Sequence, residues 1–340
     1  MVGIADAQLQ IDGVACVRSR LLLASCDNCQ RICPVGAIDL ANRTPVVNEH
    51  ICTLCGACTA VCLEGVFSAP TSVPVAQDET QIILCSCHPQ AKNEAQESPC
   101  IHGIGLQELS RMWLKGMRRL AVATGSCPTC EAAPMVWIET SVADFNRLAH
   151  SRNLPGIELV LASEETLEEW QTARRPATAP DASRRAFLRR FVTPAEPATA
   201  KEPDNPLKTF LKQSNQTEPA KTLYAFSPHI DPATCTGCDD CINICPHGAL
   251  TLIKAKDGKS LYHCAPEDCT GCQLCSDICD AQAIEVIGME RRGRDMLLTQ
   301  FKCRACGVTS HANPAMPPTE GLCRICQQTK HHKNLFVVLD

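Results

Sequence analysis

The sequence predicts an α+β protein in which two small cysteine-rich modules flank a small α/β domain with a parallel sheet, ahead of a four-cysteine tail. Three observations predict it. The 340-residue chain holds 26 cysteines, most of them in closely spaced C-x2-C units. That spacing repeats near both ends of the chain. Between the repeats the pattern changes to alternating apolar strands and amphipathic helices, which imply a parallel sheet with crossover helices. The boundaries read as 1–75 and 223–295 for the two modules, 80–170 for the α/β domain, 173–222 for a linker and 300–340 for the tail.

Cysteines so close together pair poorly across a fold, and MVGIADAQLQIDG carries neither the basic start nor the apolar run of a secretory signal. Thiolate ligation in a reducing, cytoplasmic compartment is therefore expected. Aromatic residues make up only 4% of the chain, so bound metal centres are expected to supply part of the core. A net charge of −5 argues against nucleic acid as a partner. No apolar run approaches the roughly 20 residues needed to span a bilayer.

CTGCDDCINICP supplies Cys235, Cys238, Cys241 and Cys245, and CTGCQLCSDIC supplies Cys269, Cys272, Cys275 and Cys279. Tandem C-x2-C-x2-C-x3-C motifs hold two [4Fe–4S] clusters, with each fourth cysteine crossing to the other cluster. The assignment is Cys235, Cys238, Cys241 and Cys279 to one cluster, and Cys245, Cys269, Cys272 and Cys275 to the other. Gly237 and Gly271 fall where a side chain would obstruct the ligand loop. This region resembles the bacterial two-cluster ferredoxins. Asp280 stands where those proteins carry proline. Cys264, in LYHCAPEDC, is expected to be a buried thiol without a ligand role.

The amino-terminal repeat is less regular. ICTLCGACTAVC gives Cys52, Cys55, Cys58 and Cys62, and LLLASCDNCQRICP gives Cys26, Cys29 and Cys33, with Leu23 in the slot where a first cysteine belongs. Cys33 completes one [4Fe–4S] set with Cys52, Cys55 and Cys58. The other set holds Cys26, Cys29 and Cys62 and needs a fourth ligand. Cys16 is preferred, because enlarging the intervening loop costs little closure entropy; a [3Fe–4S] centre or a non-cysteine ligand are the alternatives. Both modules thus read as ferredoxin-like 2[4Fe–4S] folds, each with a hairpin between its ligand loops: CPVGAIDL with TPVVNEHIC, and CPHGALTLI with SLYHC.

In the α/β domain the expected strands are QIILC, RRLAVATG and IELVLAS, and the expected helices are GLQELSRMWLKG and APMVWIETSVADFNRLAHS. Functional groups in such sheets gather beyond the carboxyl ends of the strands, where Cys85, Cys87, Cys127 and Cys130 fall; Cys100 lies in the loop before the first helix. LCSCHP, PCIHGIG and VATGSCPTC resemble the delta subunit of methyl-viologen-reducing hydrogenases. That resemblance implies a [2Fe–2S] cluster on four of Cys85, Cys87, Cys100, Cys127 and Cys130; zinc, or no metal, is the alternative. His88 and His102 receive no role.

The linker carries ten Lys or Arg against five Asp or Glu and includes SRRAFLRRF. This segment resembles a twin-arginine export signal, but it is internal and followed by polar VTPAEPATAK, so export is not expected. It reads either as a solvated basic turn or as a docking segment for an acidic partner. With the ferredoxin motifs it also resembles the accessory ferredoxin of periplasmic nitrate reductase, which implies a molybdenum-dependent oxidoreductase or its chaperone as partner.

In the tail, Cys303, Cys306, Cys323 and Cys326 follow C-x2-C-x16-C-x2-C, the spacing of a zinc ribbon. Zinc is preferred over a rubredoxin-like iron. The functional expectation is an electron carrier rather than an enzyme: a polyferredoxin relaying electrons between redox proteins through four [4Fe–4S] clusters. An accessory or maturation factor for a metalloenzyme and a redox sensor are the alternatives.

Overall fold

A computed structural model describes residues 9–68, 79–85, 100–125, 130, 136–162, 205–213, 221–254 and 259–330. The amino-terminal module comprises β1 (Gln10–Ile11), α1 (Val17–Arg20), α2 (Asn28–Ile32), β2 (Ile38–Asp39), β3 (Val46–Val47), α3 (Ala57–Val61) and β4 (Phe67–Ser68). β2 and β3 form the expected antiparallel hairpin, and β1 pairs antiparallel with β4 to tie the ends of the module together. Its core is small: Ile38, Leu40, Val66 and Phe67 pack with the sulfurs of Cys16 and Cys58.

The middle domain runs β5 (Thr80–Leu84), α4 (Leu106–Leu114), β6 (Arg119–Ala123), α5 (Val136–His150) and β7 (Glu158–Leu161). The three strands are parallel in the order β5-β6-β7. β6 lies in the centre, buried along Leu120–Ala123, as a central parallel strand covered by helices must be. α4 buries Leu109, Met112 and Trp113, spaced i, i+3, i+4, against Phe145 and Leu148 of α5.

The end of the expected linker departs from its sequence reading. Reading 173–222 as solvated fails for Pro206–Leu211, which forms α6 and buries Leu207, Phe210 and Leu211 in the middle-domain core. Asn205 caps it by accepting from the backbone N–H of Lys208, and Pro206 occupies the first turn. Phe210 stacks edge-on against Trp113 with centroids 5.2 Å apart. The polar, Pro-rich flanks concealed a six-residue helix with a three-residue apolar stripe. Residues 173–204 and 214–220, including SRRAFLRRF, lie outside the described residues.

The carboxyl-terminal module follows with β8 (Leu223–Ile230), α7 (Asp240–Ile244), β9 (Leu250–Lys254), β10 (Lys259–Cys264), α8 (Leu274–Asp277) and β11 (Ile284–Arg291). β8 pairs antiparallel with β11, and β9 with β10. β12 (Met296–Lys302) and β13 (Thr309–Ala312) extend the second pair into one sheet ordered β13-β12-β10-β9, and α9 (Arg324–Thr329) follows in the tail. The tail is therefore hydrogen-bonded through its strands to the ferredoxin-type hairpin.

A buried arginine is among the side chains that join the middle domain to the carboxyl-terminal module. Arg152 is completely buried; it donates to the carbonyls of Leu148 (2.9 Å), Leu211 (3.2 Å) and Leu223 (2.6 Å), so it ties α5, α6 and β8. Burial lowers its pKa to about 10, which leaves it charged near neutrality. Among the described residues no helix is long and apolar enough to cross a membrane.

Candidate iron–sulfur and metal centres

Each ferredoxin-type motif wraps the chain around a hollow. A short helix starts near the third cysteine and ends at the fourth: α2 carries Cys29 and ends on Cys33, α3 carries Cys58 and ends on Cys62, and α7 carries Cys241 and ends on Cys245. The crossing of the fourth cysteine is built into this geometry, because the helix turns its two cysteines toward different hollows.

The structure brings Cys16 to Cys26, Cys29 and Cys62. The four line one open-sided hollow. Burial first, then the charges of Cys62, Cys26 and Cys16, push the Cys29 thiol up to about 12. The loop that carries Cys16 there begins with α1, and Arg18 closes it by donating to the carbonyls of Ala24 (2.9 Å) and Cys26 (3.2 Å). Leu23, in the motif's first slot, points outward at 68% exposure, whereas Cys16 is buried.

The second quartet, Cys33, Cys52, Cys55 and Cys58, lines a second hollow. The third brings Cys279 to Cys235, Cys238 and Cys241; burial and then the charges of Cys238, Cys235 and Cys279 push Cys241 up to about 12. The fourth, Cys245, Cys269, Cys272 and Cys275, also lines a hollow.

The donor set fits thiolates bound to iron. Backbone N–H groups point at the sulfurs: Ala37 to Cys33 Sγ at 3.2 Å and Ala283 to Cys279 Sγ at 3.3 Å, four residues on from one crossing cysteine in each module. Further backbone N–H groups reach Cys235 from Gly237 and Cys269 from Gly271, both glycines having positive φ. Such bonds stabilise negative sulfur and tune cluster potentials. Cys264 is buried among these elements and donates to the Pro228 carbonyl at 3.4 Å, in keeping with a packed thiol.

The tail is closed more tightly. Among the described residues, Cys303, Cys306, Cys323 and Cys326 form a set whose sulfurs all lie within 4.8 Å of one another, so they can hold a single metal ion. Backbone donors, led by Cys323 N–H at 3.2 Å, lower Cys303 to about 6, while burial and the neighbouring thiols raise Cys326. These backbone donors favour the thiolate at Cys303, the form that binds metal.

In the middle domain the structure brings Cys85 to Cys100. Their mutual hydrogen bond and then burial push Cys100 upward. His102 Nδ1 approaches Cys100 Sγ at 3.1 Å, and the imidazole meets Trp137 edge-on. Cys130 is half-buried, and Cys87 and Cys127 lie outside the described residues. The contact of His102 was not legible in the sequence: a histidine two residues past a loop cysteine has no distinguishing pattern.

The geometry defines an iron–sulfur protein with ferredoxin-type ligand loops. Residues 234–283 match the 4Fe-4S dicluster domain, so this part of the chain is such a domain, with at least two [4Fe–4S] clusters, and it points to electron transfer. No curated protein matches the chain.

Proposed function

We propose that the chain is a polyferredoxin that relays electrons between redox proteins through four [4Fe–4S] clusters. The observation that carries this reading is the recurrence of one arrangement: four cysteine quartets, three of which take three sulfurs from one motif and one from the other motif of the module, while the fourth joins Cys26, Cys29 and the crossing Cys62 to the upstream Cys16. Iron–sulfur clusters accept and release single electrons without making or breaking bonds to the carrier. The chain's residues hold the clusters in buried hollows and supply N–H groups to their sulfurs. A reduced redox protein gives one electron at one end, and an oxidised one receives it at the other. The middle-domain cysteines are candidate ligands for a further [2Fe–2S] cluster, and zinc is the preferred occupant of the tail.

This reading makes the protein an electron carrier rather than an enzyme, working beside an oxidoreductase. The basic segment at Arg184 and Arg185 supports the second reading, an accessory factor that docks onto a molybdenum enzyme or its chaperone. Affinity capture from a native extract with and without Arg184→Ala/Arg185→Ala tests it. Docking predicts loss of a metalloenzyme from the captured set; an unchanged set leaves only a solvated turn.

A further inference from the structure

The two ferredoxin-type modules are separated in sequence by the whole middle domain and linker, yet they share a face. Glu64, two residues past Cys62, accepts from Thr270 Oγ1 and pairs with His247 Nε2 at 2.9 Å. On the same face Ser25, next to Cys26, donates from its backbone N–H (2.8 Å) and its hydroxyl (2.7 Å) to the Asp277 carboxylate. Between these polar contacts Val17, Ala24 and Leu274 form a buried apolar patch, with Cys26 and Cys272 packed against it. The hollow lined by Cys16, Cys26, Cys29 and Cys62 is completed by Thr270, Gly271 and Cys272 of the other module. The Glu64 charge acts on both Cys26 and Cys272.

We infer from this joint the spatial order of the cluster sites: the Cys33 quartet, the Cys16 quartet, the Cys245 quartet and then the Cys235 quartet, with Glu64, Ser25 and Asp277 as positioning residues for the crossing between modules. The inference rests on the four-cluster reading. Within each module the neighbouring sites are joined by shared elements: Cys29 and Cys33 by α2, and Cys241 and Cys245 by α7. The charge of Cys241 is felt at Cys275.

Both outer ends are capped by other centres. At one end Cys55 acts on Cys100 of the middle domain, and both line one cleft. Here the backbones close to contact. A Cβ on Gly105 would come within 2.3 Å of the Ala60 carbonyl oxygen, so the second glycine of IHGIG lets the cysteine loop lie on α3. At the other end Arg324 of the tail donates to the Cys238 carbonyl at 3.3 Å and pairs with Asp240 at 2.9 Å. The order runs from the α/β domain to the four-cysteine tail, and the module-to-module crossing lies in the middle, shielded from solvent on the side of the apolar patch.

The test uses the full chain, prepared anaerobically and partly reduced, with pulsed EPR reading magnetic coupling between modules and iron analysis counting clusters. The C29S variant should lose one cluster's worth of iron and abolish coupling between the modules, while C55S should lose the same iron and leave that coupling. The mirror pair serves if either variant sheds more iron than one cluster: C272S abolishes the coupling and C238S leaves it. Coupling that survives both C29S and C272S, or that disappears with C55S or C238S at single-cluster loss, overturns the order. Wild-type iron equivalent to fewer than four clusters would instead overturn the four-cluster reading beneath it.

Discussion

Cys16 is the residue on which the amino-terminal module turns. Leu23 points to solvent and Cys16 lies buried beside Cys26, Cys29 and Cys62, so a distant sulfur fills a gap in the motif. Cys16→Ser is expected to remove or convert one cluster and leave that of Cys33, Cys52, Cys55 and Cys58 intact, as read by iron content and EPR; retention of every signal would exclude Cys16 as a ligand. Arg152 carries a structural prediction of comparable sharpness. Arg152→Leu strands three carbonyls that now receive its hydrogen bonds. The expected cost is about 3 kcal/mol, measured as a lower anaerobic unfolding midpoint with the iron content of the native chain at ambient temperature. A midpoint unchanged from wild type would mean that water replaces the guanidinium.

Among the elements, α6 shows where composition misleads. Its flanks are polar and Pro-rich, yet Leu207, Phe210 and Leu211 fall at helical spacing behind an Asn-Pro start, and Phe210 is fully buried. Phe210→Ala should destabilise the middle domain by roughly 3–5 kcal/mol, seen as early loss of near-UV circular dichroism; an effect below 1 kcal/mol would mean that α6 is not part of the core. The strands and helices of the middle domain were legible from periodicity, because a parallel sheet alternating with amphipathic helices leaves a strong pattern from Thr80 to Leu161. Three of the cysteine quartets follow from motif spacing, because the loop around a cubane fixes the intervals; Cys16 lies outside that spacing, and only its placement beside Cys26, Cys29 and Cys62 joins it to the fourth. The joint between modules was not legible. Glu64 in CLEG and Asp277 in CSDIC are ordinary surface carboxylates by sequence, and only the three-dimensional placement pairs them with Thr270, His247 and Ser25.

For the whole molecule, the middle domain holds a sizeable apolar core, while the modules around it rely on cysteine sulfurs and small aliphatic residues. Burial raises thiols such as Cys29, Cys58 and Cys269 to about 12, so in the folded chain without metal they are neutral and line hollows. Metal would displace these protons as it binds, and folding of the modules is expected to be coupled to ligation. Chelation of the native protein should unfold both ferredoxin-type modules while the α/β domain keeps part of its helical signal. A cooperative transition of native amplitude after chelation would show that the modules fold without metal. The same coupling predicts that C323S/C326S releases the tail metal and loosens β12 and β13, detectable as faster amide exchange over 296–312; exchange at the native rate would show that the sheet holds without it.

The central claim is the number of metal centres carried by one chain. Anaerobic iron, sulfide and zinc analysis combined with an EPR-monitored redox titration tests it most directly. The account predicts about sixteen cubane irons, two more when the middle domain is loaded, and one zinc, from the usual cluster stoichiometries. Recovery of only the two clusters of residues 234–283 from intact, anaerobically prepared protein would contradict it.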